Sequence, residues 1–288
     1  MIMKQILVTT DFSEPAGHAA DAAVQLALKH GASVHLIHSV DVPDTWQDAR
    51  FSNAVLATRP TKLQQDLYPE VRQRVGAARQ RLEDLTMRMT KKKVKATYHV
   101  AANAAWRDIV QVAKDMKVDL VIMGTHGAGA LKEATMGSNA QRVVRMAEVP
   151  VLTLHRSLPR RIANVALFLD PMEAGVEKVV GRMVAPLAGQ QVRYHLVRVN
   201  TPGDFLDTES ALEALHRIAK RVEPSCLVHT CDHYTVAEGA VAFAHREGAD
   251  MIALPTHGRQ GLRSFLTASV AETIVNHSTL PVLTLRTE

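Results

Sequence analysis

Aromatic residues make up only 4% of this 288-residue chain. Single-stranded nucleic acid is held on aromatic platforms, so the scarcity argues against such a surface. Two cysteines, Cys226 and Cys231, cannot build a disulfide framework in a chain of this length. No window reaches the roughly 18 uninterrupted apolar residues of a membrane span. The opening Met1-Ile2-Met3-Lys4-Gln5-Ile6 has no signal-peptide pattern and runs straight into an apolar stretch. A soluble, cytoplasmic protein is therefore expected. The net charge of +5 is spread out, its densest runs being Lys91-Lys92-Lys93 and Arg160-Arg161, placed where a helix and a linker are expected. Such charge solubilises; it does not form a nucleic-acid stripe.

What the chain does have is an ordinary globular balance, 47% hydrophobic and 22% charged. At about 150 residues per domain its length suggests two domains. Gly124-Thr125-His126-Gly127 is followed, after nine residues, by Gly137-Ser138, and the pattern returns as Pro255-Thr256-His257-Gly258 with Ala268-Ser269. Residues 119–154 align with 250–285 without a gap, sharing Asp119/Asp250, Leu131/Leu262 and the terminal Pro150–Leu154/Pro281–Leu285. A repeat this long is a duplicated domain; solenoid units run to about 20–50 residues. We place the domains at 1–155 and 162–288, with the boundary in the polar stretch His155–Arg161.

Each half alternates apolar runs with helical spacing. In the first, strands are expected at 5–10, 33–40, 94–100, 120–123 and 151–154, with helices at 15–29, 70–91, 104–116 and 139–147. Ser13 and Gly31 are the expected caps of the first helix. In the second, strands are expected at 164–169, 192–199, 226–231, 251–254 and 282–285, and helices near 173–187, 208–222, 235–247 and 269–277. Alternating βα units give an α/β fold: a mostly parallel, doubly wound sheet with helices on both faces. Ligands of such sheets sit outside the carboxyl ends of the strands, where the strand order reverses.

A strand, a glycine turn and a helix start can hold phosphate on backbone N–H groups. Gly124 and Gly127 let the main chain turn and approach a ligand. Gly137 removes a side chain at the helix start, and Ser138 can cap that helix and offer a hydroxyl. The Lys-Ser/Thr ending of a P-loop and the dinucleotide fingerprint are both missing. A tight turn without ligand accounts equally for the glycines. Asp11 ends the first strand, across the switch point, where its carboxylate can accept from a ribose hydroxyl or an adenine amino group, or can simply cap the next helix.

Ile6-Leu7-Val8-Thr9-Thr10-Asp11-Phe12-Ser13-Glu14, Leu36–Val40, Val118–Gly127, Leu131-Lys132-Glu133, Gly137-Ser138 and Val149–Leu152 together resemble the universal stress protein family, in both halves. The resemblance implies two open five-stranded parallel sheets of order 3-2-1-4-5, related by a pseudo-two-fold, with the last strands near the shared interface. It implies ATP binding by the intact copy. Thr9 and Asp11 would lie at the adenosine end with Ser39. Met123 and Gly124 would line the ribose and adenine side. Gly127, Gly137, Ser138 and Asn139 would hold the triphosphate, with Mg2+ on the phosphates. Asn103 and Ala105 depart from the family's Gly-x-Pro ahead of the third helix. In the second copy Pro255 lacks an N–H and Ala268 puts a methyl where phosphate would approach, so that half is expected to serve mainly as a structural partner.

Other groups carry less. His229, Cys231 and His233 alternate and can be read as metal ligands, though packing or surface roles explain them, and the strand can end before His233. His126 and His257 occur in both copies, which favours turn packing. Trp46, Phe51 and Tyr68 sit in the connection 41–69, a candidate lid or small-ligand surface. Lys132 and Arg142 can reach phosphate or water equally. No paired carboxylates or Ser-His-Asp order demand catalysis. The expected function is a stress-response regulator that binds an adenine nucleotide and an unknown protein partner, with or without further homodimerisation. The alternatives are a nucleotide-independent interaction or lipid-binding factor and a slow ATPase.

Overall fold

Apolar runs such as Ile6–Val8 and Leu120–Met123, buried on both faces, are what a parallel sheet covered by helices on both sides requires. A computed structural model describes residues 3–41, 69–102, 105–125, 136–222, 226–257 and 268–287. The first half runs β1 (Gln5–Thr9), α1 (Glu14–His30), β2 (Ser33–Val40), α2 (Pro69–Lys91), β3 (Ala96–Ala102), α3 (Ala105–Asp115), β4 (Leu120–Gly124), α4 (Ser138–Met146) and β5 (Val151–Leu154). The second runs β6 (Asn164–Phe168), α5 (Val176–Val184) with a 3₁₀ turn at Ala185–Leu187, β7 (Arg193–Asn200), α6 (Thr208–Val222), β8 (Leu227–Asp232), α7 (Val236–Arg246), β9 (Met251–His257), α8 (Ala268–His277) and β10 (Val282–Thr287).

Each half has the expected parallel order, β3-β2-β1-β4-β5 and β8-β7-β6-β9-β10. The two sheets do not stay separate. β5 and β10 pair antiparallel, with Val151 opposite Thr284 and Thr153 opposite Val282, giving one sheet of ten strands. Thr153 Oγ1 and Thr284 Oγ1 donate across the seam to the carbonyls of Val282 and Val151. One buried cluster lies under α1, α2, α5 and α6, and a second under α3, α4, α7 and α8. Both clusters draw residues from both halves, so the seam is continuous with the core.

Local chemistry explains the element ends. Ser13 caps α1 by accepting from Ala16 N, and Gly31, at φ 68°, closes it. The third strand starts at Ala96, two residues later than expected. Lys93 turns in the left-handed region and Val94 N still donates to Met89 O, so both residues belong to the end of α2. The helix expected over 173–187 is shorter. Gly175 sits at φ 78° ahead of α5, and Pro186 lies in the 3₁₀ turn that ends it. At the amino ends, Asp119 accepts from Lys4 N and Gln5 N, and Asp250 accepts from Ala163 N and Asn164 N. This shared task accounts for the Asp119/Asp250 identity.

Candidate functional site

β1 has β2 on one side and β4 on the other, and the chain leaves β1 and β4 toward opposite faces of the sheet. Val8 pairs with Ile122 and Thr9 with Ile37, so the carboxyl ends of β1, β2 and β4 lie side by side. That brings Thr9, Asp11, Ser39, Met123 and Gly124 to one edge. Leu7, Ile37, Val121 and Met123 belong to the cluster under α3 and α4. Strand alternation therefore puts Thr9 and Ser39 on that same face. The start of α4 joins them, because Gly137 N donates to Thr125 O at 2.8 Å. Gly127 lies outside the described residues, as do His126, Lys132, Asn103, Trp46, Phe51 and Tyr68.

Two expectations need refinement. The Met123 side chain is buried in the core, so only its main chain faces the crevice. Ser138 is not the cap of α4. Gly137 holds that position without a side-chain hydrogen bond, and Ser138 is the first helical residue. Ser138 and Asn139 are exposed, and no acidic residue occupies the first turn. No side chain of that turn offsets the positive end of the helix.

Asp11 is half-buried and does two things. Its Oδ1 accepts from Ser13 N at 3.0 Å and from Ser13 Oγ at 2.5 Å, which fixes the residue that caps α1. Phe12, at φ 64°, swings its ring between His38, 4.5 Å away, and the Arg81 guanidinium, 4.0 Å away. His38 Nδ1 lies 2.7 Å from Thr10 O and must carry a proton to bond it. Burial holds the His38 pKa below its ordinary value. Phe12 and His38 stand inside the stretches that carry the family resemblance, yet only the fold shows that they meet.

Gly124 has a structural reason of its own. A Cβ there would lie 2.8 Å from Pro15 C and 3.0 Å from Ala16 N, so the first turn of α1 packs directly on β4. In the second half α5 does not begin until Val176. The ladder of β9 with β6 ends at Ala253, so Pro255 lies past the last pair and costs that ladder nothing.

The second half reaches into the first site. Asn276 Oδ1 on α8 accepts from Met136 N, next to Gly137. Arg145 on α4 forks onto Glu272 on α8. His155 Nε2 donates to Val275 O, so its Nδ1 is free to accept from Thr125 Oγ1 at 2.9 Å. Thr125 therefore anchors the motif to the seam.

In the worn copy the aspartate is already engaged. Arg198, 2% exposed, lies 3.5 Å from Asp170 and 2.9 Å from Asp204. Sequence reasoning passed over Arg198, which sits in the apolar run of β7. His229 Nε2 and His195 Nδ1 are 3.1 Å apart with stacked rings against Phe243. Burial pushes the Cys231 thiol up to about 11. β8 ends at Asp232, which leaves His233 in the following turn. Among the described residues no three His, Cys, Asp or Glu side chains come together as a metal-holding group, and no helix is long and apolar enough to cross a membrane.

Comparison with known proteins agrees with this arrangement. The sequence model of the universal stress protein family matches residues 3–155 and 176–286. A universal stress protein of Synechocystis sp. is 22% identical over 306 residues, covering 99% of this chain and 100% of that protein. One from Methanocaldococcus jannaschii is 27% identical over 165 residues, 54% of this chain and 97% of its own. The crystal structure of a universal stress protein from Archaeoglobus fulgidus superposes with a TM-score of 0.71 at 15% identity, over 98% of each chain.

Proposed function

Since the chain belongs to the universal stress protein family in both of its halves, we propose that its first half binds ATP or a related adenine nucleotide and its second half acts mainly as a structural partner. The observation that carries this reading is the meeting of three strand ends with the start of α4, whose first turn holds no acid. Each part has a task that suits a nucleotide. Asp11 offers carboxylate oxygens to ribose hydroxyls or the adenine amino group, and Thr9 and Ser39 add hydroxyls on the same face. Gly124 and the Met123 main chain edge the crevice. Gly127, Gly137, Ser138 and Asn139 surround the phosphates, with the N–H groups of α4 supplying charge complementarity. A Mg2+ ion on the phosphates would neutralise the remaining charge.

Regulation then follows if the nucleotide favours one conformation or one partner complex over another, which requires different affinities for the two states. Hydrolysis is not part of the proposal; phosphate release above a Gly137→Trp blank would support a slow ATPase instead. Calorimetry with ATP and magnesium on the wild type and on Gly137→Trp tests it. Saturable heat in the wild type that disappears in Gly137→Trp is the expected result. A wild type that takes up no nucleotide overturns the reading and leaves a nucleotide-independent interaction role.

A further inference from the structure

We infer that the cleft between the two halves, at the amino ends of their strands, is a binding site for a small phosphoryl-bearing polyanion, separate from the nucleotide site. The twist of a ten-stranded sheet carries the halves around until their amino ends meet on the α1/α5 face. The contacts show the meeting: Lys29 Nζ donates to Gln190 Oε1 at 2.8 Å, His30 Nε2 lies 3.0 Å from Pro186 O, and Arg182 Nη2 donates to Glu148 O at 2.6 Å. The cavity left between them has a volume of ≈ 980 Å³. That is room for a metabolite of nucleotide size, at a junction between domains where ligand sites concentrate.

Its charge is one-sided. Arg161, Lys178, Arg182 and Arg193 line it, and among the described residues Asp119 is the only carboxylate in its wall. Asp119 is already met by the N–H groups of Lys4 and Gln5. None of the four cations pairs with a carboxylate among the described residues. Cations gathered in a concave site focus potential and draw anions in. Three of the four are arginines, whose planar forks fit phosphoryl oxygens two at a time. Ala185, Pro186 and Leu187, the turn that ends α5, line the same space.

The test is calorimetry at low salt with two probes, tripolyphosphate as a free phosphate chain and fructose bisphosphate as an organic carrier of the same groups. It uses wild type, Lys178→Glu/Arg182→Glu and Gly137→Trp. Binding of either probe is expected in wild type and Gly137→Trp, weakened at least about tenfold in the double variant. The tighter probe identifies the source of the phosphoryl group. Should the double variant fail to fold, Lys178→Gln, on the exposed side of α5, replaces it with an expected loss of about threefold. Equal affinity in wild type and cleft variants, no binding of either probe, or a loss confined to Gly137→Trp overturns the inference. Because Gly137→Trp is judged separately, failure here leaves the nucleotide proposal standing.

Discussion

The Arg198 guanidinium lies 3.5 Å from Asp170, the carboxylate that ends β6 as Asp11 ends β1. In the first half Asp11 is half-buried and accepts from Ser13 N and Ser13 Oγ through Oδ1. In the second, a buried cation from β7 takes the aspartate, with Asp204 closing the other side. Arg198→Met leaves both carboxylates without their partner. Each still reaches water, so the cost is expected at about 2–4 kcal/mol, the lower part of what breaking a buried pair costs. A fall in the urea midpoint at constant slope checks it, and Arg198→Met with Asp170→Asn should recover part of the loss. A cost below about 0.5 kcal/mol would show that the ion pair carries no structural role.

Gly124 and Gly17 should respond in opposite directions to the same substitution. Gly124→Ala drives a methyl into the Pro15–Ala16 main chain, which cannot swing aside as a side chain can. A loss of about 1–3 kcal/mol is expected. A Cβ at Gly17 meets nothing within 4 Å, and the residue is exposed on α1. Gly17→Ala should stabilise by about 0.4–1 kcal/mol, by restricting the unfolded chain. Thermal melts of the two variants decide the matter, and equal effects would refute the packing account of the first motif glycine.

The two motif threonines also separate. Thr125 Oγ1 donates to His155, whereas Thr256 Oγ1 is buried with no hydrogen-bond partner among the described residues. Thr125→Val removes the hydrogen bond between the hydroxyl and the His155 ring, so it should cost about 1–2 kcal/mol. Thr256→Val replaces an unsatisfied hydroxyl with a methyl and should be neutral or slightly stabilising. Chemical denaturation that ranks the pair the other way would disprove this accounting.

Acid should weaken the protein before its carboxylates titrate. Burial lowers the pKa of His35, His38, His195 and His229 below the ordinary value of about 6.5. The unfolded chain then binds more protons than the folded one, so stability is full above about pH 6.5 and declines as the pH falls toward the depressed folded values. The melting temperature is expected to drop as the pH falls below about 6.5. His195→Gln/His229→Gln should flatten that slope, and an unchanged slope would place the effect elsewhere.

Much of this was legible in the amino-acid order because its signals are local. Ser13, Pro15 and Gly31 bracket α1 within a few residues of where the spacing puts it, and α6 begins and ends where its pattern does. The nucleotide-type motif was readable because its glycines and Asp11 lie at ends of strong apolar runs. Three features were not. The fusion of β5 with β10 depends on main-chain edges, and Val-Leu-Thr-Leu would look the same on either side of an open sheet. Ser138 missed the cap by one residue, within the usual uncertainty of helix ends. Arg198 gives no signal in the sequence because its partners, Asp170 and Asp204, are set by tertiary packing and not by spacing.

The β5–β10 seam makes each half the permanent tenant of the other. Tethered through residues 155–163, the two edges meet at an effective concentration that dilution cannot lower. A pair of separate subunits would have to match at every encounter, and both copies would carry any change. Here the second half can hold its strand-end aspartate in an internal ion pair while the first half does not. The cleft where they join, unlike the interface of a two-fold symmetric dimer, is free to be different on its two sides.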